Sequence, residues 1–183
     1  MQNQERTGDW TQIYNGKKFW PLDPRSEDVC IDDIAHALSM ICRFGGHCND
    51  FYSVAQHSVL VSQNIEEKYQ LHGLLHDSAE AYIGDIVLPL KKYMKGIKEI
   101  EKKIEIAIFE HFGLVYSYNH KIKTADKIVL YTEMRDLMAE PPEEWQEYNE
   151  YIYLLLESRI IPLNPKDSER LFLERYNILI NKI

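Results

Sequence analysis

Residues 53–85 read SVAQHSVLVSQNIEEKYQLHGLLHDSAEAYIGD, with a histidine and an aspartate, His76 and Asp77, side by side in the leucine-rich part. Leu71, Leu74, Leu75, Ala79 and Tyr82 recur at helical spacing, which sets His76 and Asp77 on or beside an inward face. Burial strips both side chains of water, at a cost on the order of several kcal/mol for a charge left unpaired. A divalent metal compensates both at once, because it takes neutral imidazole nitrogen and carboxylate oxygen as ligands. The plainer reading of an isolated His-Asp dipeptide is a hydrogen-bonded pair at a helix surface. Three further features favour the metal. His57 sits on its own helix signal, with Ser53 as N-cap and Gln56 at the third position of a capping box. Glu80 follows His76 by four residues and so shares its helical face. Asp126, in Thr124-Ala-Asp126, precedes Ile128, Val129 and Leu130 in a third helical pattern. The order His57, His76-Asp77, Asp126 is a candidate ligand set drawn from three helices.

The rest of the chain is also helical in pattern. Residues 1–15 are polar and read as a loose lead-in, and 19–24, with Pro21 and Pro24, as an extended segment. Trp20 and Leu22 there are core anchors or walls of a base pocket. Ile34, Leu38 and Ile41 line one face of a helix over 31–43, with Gly45-Gly46 ending it. Arg43 falls where that helix ends, and a guanidinium there can fork onto phosphate or carboxylate. Helices are expected over 54–69 and 71–83, with Gly84-Asp85 as the break. Pro89 restricts the backbone ahead of Lys91, Lys92 and Lys95, which form a solvated face or a clamp for a polyphosphate. Further helices are expected over 97–112, over 120–138 with Asn119 as cap, and over 143–159 and 167–182. The expected fold is all-α, a compact helical bundle with the metal site between central helices.

A chain of 183 residues is long enough for one substantial core, and a single domain over 1–183 is expected, with its core at about 16–140 and C-terminal helices at 143–183. Its net charge of −8 argues against nucleic acid or an anionic membrane as partner. No apolar run is long enough to span a bilayer, and the N-terminus shows no signal-peptide core. Cys30, Cys42 and Cys48 are odd in number and form no CxxC pair, which favours reduced thiols and a cytoplasmic setting. Two imidazoles and two carboxylates suit Mn, Fe, Co, Ni or Zn better than a pure magnesium cage.

His57, His76, Asp77 and Asp126 match, one by one, the ligand pattern of the HD-domain metal-dependent phosphohydrolases, which the chain resembles over about residues 16–135. Arg43 in CRFGGH, Glu80 in HDSAE and Asp85 in YIGDIVLPLK look like the deoxynucleotidase branch, which cleaves the 5′ phosphoester of deoxynucleotides. The run GKKFWPLDP ahead of IAHALSMICRFGGH looks like the small phage dATP triphosphohydrolases. The resemblance implies an HD-domain enzyme that hydrolyses a small-molecule deoxynucleotide, with dATP as the expected substrate and deoxynucleoside and tripolyphosphate as products. It implies Glu80 as the residue that orients water or moves protons. Asp85 would steer the 3′-hydroxyl, the leaving group or a second cation such as Mg. Arg43 would serve catalysis and substrate binding, with Trp20 and Leu22 against the base and Lys91, Lys92 and Lys95 on phosphate. Related small helical enzymes imply a homo-oligomer, dimer or hexamer. The alternatives are a 5′-deoxynucleotidase acting on monophosphates and a metal-stabilised nucleotide-binding module without turnover.

Overall fold

The computed structural model describes residues 5–116 and 119–182. The fold is an all-α bundle. Its helices are α1 (Ile31–Met40), α2 (Val54–Gln63), α3 (Gln70–Leu75), α4 (Glu80–Ile83), α5 (Leu88–Lys91), α6 (Ile97–His111), α7 (His120–Leu137), α8 (Tyr148–Tyr151) and α9 (Pro165–Ile180). One short antiparallel hairpin precedes them, β1 (Thr11–Gln12) paired with β2 (Lys18–Phe19). It falls partly in the segment expected to be loose. Its turn is tied to the bundle by Asp33, which accepts from the Asn15 backbone N–H at 2.8 Å and from its side-chain amide at 2.6 Å. No helix among the described residues is long and apolar enough to cross a membrane.

The core is built where α2 packs on α3, α7 and α9, and α1 on α2 and α9. Ile34, Leu38, Val59, Leu74, Ile108 and Phe172 are among its fully buried members. α3 passes over α2 at Gly73, where a Cβ would stand in ordinary van der Waals contact 3.4 Å from the Ser62 Cα. The α2 N-terminus carries half of the expected capping box. Ser53 Oγ accepts from the Gln56 N–H at 3.1 Å. The Gln56 side chain does not reach back, but donates to Ile161 O at 2.8 Å and accepts from Leu163 N at 2.9 Å. Asn119 caps α7 as expected, by accepting from Lys121 N.

Several expected helices are shorter. The one expected over 31–43 stops at Met40, because Ile41 turns extended and Cys42 forms an isolated bridge with Ser53. The one over 54–69 stops at Gln63, where Arg175 of α9 takes the Ser62 carbonyl at 2.9 Å. The one over 71–83 divides into α3 and α4, as i→i+3 bonds tighten the chain through Ser78, Glu80, Ala81 and Tyr82. Only α8 forms within 143–159. There α7 captures the backbone with side chains. Tyr131 donates to Gln146 O, Thr132 Oγ1 accepts from Leu156 N, and Asp136 accepts from Ile160 N.

Candidate metal centre

Three elements converge on one point. His57 lies on α2, His76 just past the end of α3, and Asp126 on α7. One donor atom from each lies within 4.8 Å of the other two, so the group can hold a metal ion. His57 Nε2 is 3.4 Å from His76 Nε2 and 3.2 Å from Asp126 Oδ1, and the third side of the triangle is 3.9 Å. Metal–ligand bonds of about 2.0–2.2 Å in a tetrahedral site set donors about 3.4 Å apart. The triangle therefore has the right size.

The hydrogen bonds on the far side of each ring decide what the near side offers. His76 Nδ1 donates to the Gly73 carbonyl at 2.8 Å, and His57 Nδ1 to Glu133 Oε1 at 2.6 Å. Both neutral rings then turn an Nε2 lone pair towards the Asp126 oxygen. Three acceptors meeting at one point repel unless a cation or a proton lies among them. Without metal, a proton takes that place. Burial and then Arg43 pull the His57 pKa down, but Glu133 and Asp126 outweigh them and raise it to about 9. His76 is raised too: burial pulls it down and Asp77 prevails. The donor set fits a metal ion, whose binding would displace these protons.

Asp77 Oδ2 lies 3.1 Å from His76 Nε2 and 3.6 Å from His57 Nε2, and Arg43 Nη1 stands 3.8 Å away. Burial pushes its carboxyl up, but His76 first, then His57 and Arg43, hold it well below the usual carboxylate range. Asp77 thus stands beside the two histidines, while the group whose donors all lie within 4.8 Å of one another is His57, His76 and Asp126.

Beneath them lies a residue that the sequence reading missed. Glu133 is fully buried, and its carboxylate accepts from His57, from Tyr52 Oη at 2.9 Å, and from Arg43 through Nε at 3.1 Å and Nη2 at 3.0 Å. Burial pushes the Glu133 carboxyl up, and Arg43 followed by His57 more than offsets this, leaving it lowered. The available signal was spacing, for Glu133 follows Asp126 by seven residues and shares its face of α7. Arg43 is buried and engaged with carboxylates rather than free at the surface.

Arg43 arrives on a turn, not a helix end. The Arg43–Gly46 turn holds Phe44 at φ 57°, Gly45 at 61° and Gly46 at 83°. This left-handed run suits glycine and folds the chain back. Arg43 N then bonds Tyr52 O at 2.9 Å, and Val54 N bonds Ile41 O at 3.1 Å, which delivers Arg43, Tyr52 and His57 together.

Glu80 is buried, and its Oε2 has no hydrogen-bond partner among the described residues. Burial, reinforced by Asp77 and Asp85, raises its pKa to about 10, so it is a protonated acid at neutral pH. Asp85 is partly exposed, and burial raises its pKa too. A cavity of about 300 Å³ opens on the centre, lined by His76, Asp77 and Asp126 with Lys91, Glu101 and Lys123 among others. Lys91 is ion-paired with Glu101. Lys92 and Lys95 are exposed and lie outside this lining, whereas Lys123, three residues before Asp126, is within it. Leu22 lines a different cavity with Lys103, Ile106 and Glu110, on the opposite face of α6 from Glu101 and Glu105. Trp20 is half-buried beneath the Arg6 guanidinium, which sits 4.5 Å above its ring. A further cavity of about 380 Å³, between the hairpin, α1 and α4, holds none of the donor set.

No family model matches the chain. Over 168 residues it is 41% identical to "Uncharacterized protein YfdR" of Escherichia coli strain K12, covering 92% of this chain and 94% of that protein. Over 128 residues it is 36% identical to "Uncharacterized protein RCAP_rcc00048" of Rhodobacter capsulatus, covering 64% of this chain and 65% of that one.

Proposed function

The chain belongs to the family of Escherichia coli YfdR, and we propose that it is a metal-dependent phosphohydrolase of the HD-domain kind acting on deoxynucleotides. One observation carries the reading. Two imidazoles with committed Nδ1 atoms and an Asp126 oxygen converge at 3.2–3.9 Å beside a cavity that also presents lysine. Asp77 would complete the set as fourth ligand. A bound transition metal such as Zn, Co, Mn, Fe or Ni would supply Lewis acidity and a water-derived nucleophile at neutral pH.

The chain's own residues would do the rest. Glu133 holds the His57 ring in its ligating tautomer, and Arg43 holds Glu133. Arg43 is thereby a positioning residue, which leaves phosphate contact to Lys91 and Lys123 on the cavity wall. Preorganised cations there would stabilise charge that builds on phosphoryl oxygens. Glu80 lies outside the cavity lining, but its protonated carboxyl is the acid that would donate towards the leaving 5′ oxygen. Asp85 would meet the 3′-hydroxyl or a second cation such as Mg.

The triphosphate dATP remains the first substrate to try. Monophosphates are the second reading, favoured because Lys92 and Lys95 lie outside the cavity lining, so the lysine clamp for a long polyphosphate is thinner. The test is incubation of the chelated protein with each dNTP, dNMP and ribonucleotide, with Co, Mn, Zn or Mg added back, and identification of the phosphate product. Tripolyphosphate from dATP establishes the first reading, and orthophosphate from monophosphates alone the second. No product with any metal overturns both and leaves a binding module. Asp77→Ala should lose metal and turnover together, and turnover without metal would refute the ligand assignment.

A further inference from the structure

Away from the donor set, the Cys42 and Cys48 sulfurs lie 3.6 Å apart, and both residues are half-buried and within reach of a small molecule. They bracket the turn that delivers Arg43. We propose that Cys42 and Cys48 are a modification site, a dithiol that a small-molecule disulfide of the glutathione type converts reversibly to an intrachain disulfide clasping this turn.

The backbone brings the sulfurs together and holds them there. The left-handed run from Phe44 to Gly46 folds the chain back between them. On one side Cys42 is pinned by its bridge to Ser53, and on the other Asn49 N bonds the Leu137 carbonyl at 2.8 Å. A disulfide needs about 2.05 Å between sulfurs, so about 1.5 Å must close, within the range of side-chain rotation. What is given up is weak: the S–H contact between the pair and that of Cys48 to Arg43 O at 3.8 Å. The clasp would join Cys42, which is bridged to the residue that caps α2, to the segment bonded to the end of α7, and these two helices carry His57 and Asp126.

In the reaction the Cys42 thiolate attacks one sulfur of the small disulfide, forming a mixed disulfide and releasing one thiolate. Cys48 Sγ donates to the Arg43 carbonyl, a contact that holds it as the thiol and leaves it as the resolving group, and burial and Cys42 push its pKa up as well. It loses its proton to solvent as it attacks the Cys42 sulfur and displaces the second small thiolate. Two cysteine thiols lose two protons and two electrons, and the small disulfide is reduced to two thiols.

Cys30 provides the internal control, since its sulfur contacts Asp32 and neither other cysteine. The experiment exposes the reduced full-length protein to oxidised glutathione, quenches with acid, alkylates and measures intact mass. The expected product has two thiols fewer and no glutathione adduct, with a peptide linking Cys42 to Cys48 and reversal by dithiothreitol. Closing this short loop in the unfolded chain should raise the melting temperature by about 5 °C. Cys30→Ser should behave as wild type, and Cys48→Ser should hold a stable adduct at Cys42 and show no shift. A stable adduct on the wild type, retention of all three thiols, cross-linking between chains, or an unchanged or lowered melting temperature would each overturn the proposal.

Discussion

Replacing Glu133 with glutamine tests the centre from beneath, because every group facing that carboxylate is a donor. Oε1 accepts from Tyr52 and His57, and Oε2 accepts from Arg43. Glutamine offers one oxygen and one amide group, so it cannot accept on both sides. If its oxygen stays towards Tyr52 and His57, the amide faces Arg43 and leaves a buried guanidinium with only Asp77, 3.8 Å away. If it flips, the amide donates to His57 Nδ1, the ring proton moves to Nε2, and the ligand lone pair is lost. Breaking a buried ion pair by removing one partner costs about 3–5 kcal/mol. Asp77 compensates in part, so about 3 kcal/mol is expected, which at about 2 kcal/mol per M of urea lowers the unfolding midpoint by about 1.5 M. Loss of an outer partner of a ligating histidine weakens metal binding by about 10–100-fold. Urea unfolding of the metal-free variant, followed by tryptophan fluorescence, reads the first effect, and titration against a competing chelator reads the second. A midpoint within about 0.3 M of wild type, together with metal affinity within about twofold, would refute the reasoning.

Lys91→Met should raise KM for a turned-over nucleotide while Lys95→Met leaves it unchanged, since Lys91 lines the cavity and Lys95 does not; equal effects in steady-state kinetics would remove the clamp. Phe19 is fully buried with its ring stacked on Tyr82 at 3.8 Å, so Phe19→Ala should cost about 3–5 kcal/mol in calorimetry or urea unfolding. Burial raises the Asp136 pKa, but the Arg135 side chain and the Ile160 N–H outweigh it, so the carboxyl is lowered from 3.8. A lowered folded pKa contributes stability that is present above about pH 4 and lost as pH falls through the folded value. Urea midpoints of wild type and Asp136→Asn should therefore differ at pH 7 and converge at the acid end, and a gap that persists there would show that the carboxylate charge is not the source.

The sequence was most legible where chemistry is local. Ser53 and Asn119 cap their helices as read, because a cap needs only its own next turn. His57, His76 and Asp126 could be read because a polar triad on apolar helical faces has few uses. Glu133 escaped notice because a buried acid looks like any helical glutamate until Arg43, distant by 90 positions, is beside it. Helix lengths failed for a related reason. A helix ends where another partner takes its carbonyls or N–H groups, and that partner can be remote in sequence. Arg175 takes the Ser62 carbonyl across 113 positions, and α7 holds the backbone at 146, 156 and 160 through Tyr131, Thr132, Arg135 and Asp136.

That last set links fold to site. The face of α7 that bears Asp126 and Glu133 is fixed by α2, whereas Tyr131, Thr132, Arg135 and Asp136 on the same helix tie down the chain that follows. The Gln56 amide fastens 161 and 163 to α2 one residue before His57. The irregular return from α7 to α9 is thus stitched by side chains to the helices that carry His57 and Asp126, two of the three elements of the donor set. A donor triangle must hold to about 0.5 Å, and the His57–Glu133 bond fixes α2 against α7 at one point. Directional bonds to a segment that runs across both resist a slide between the two helices, which gives the irregular 143–163 stretch a physical task that a free-standing helix there would not perform.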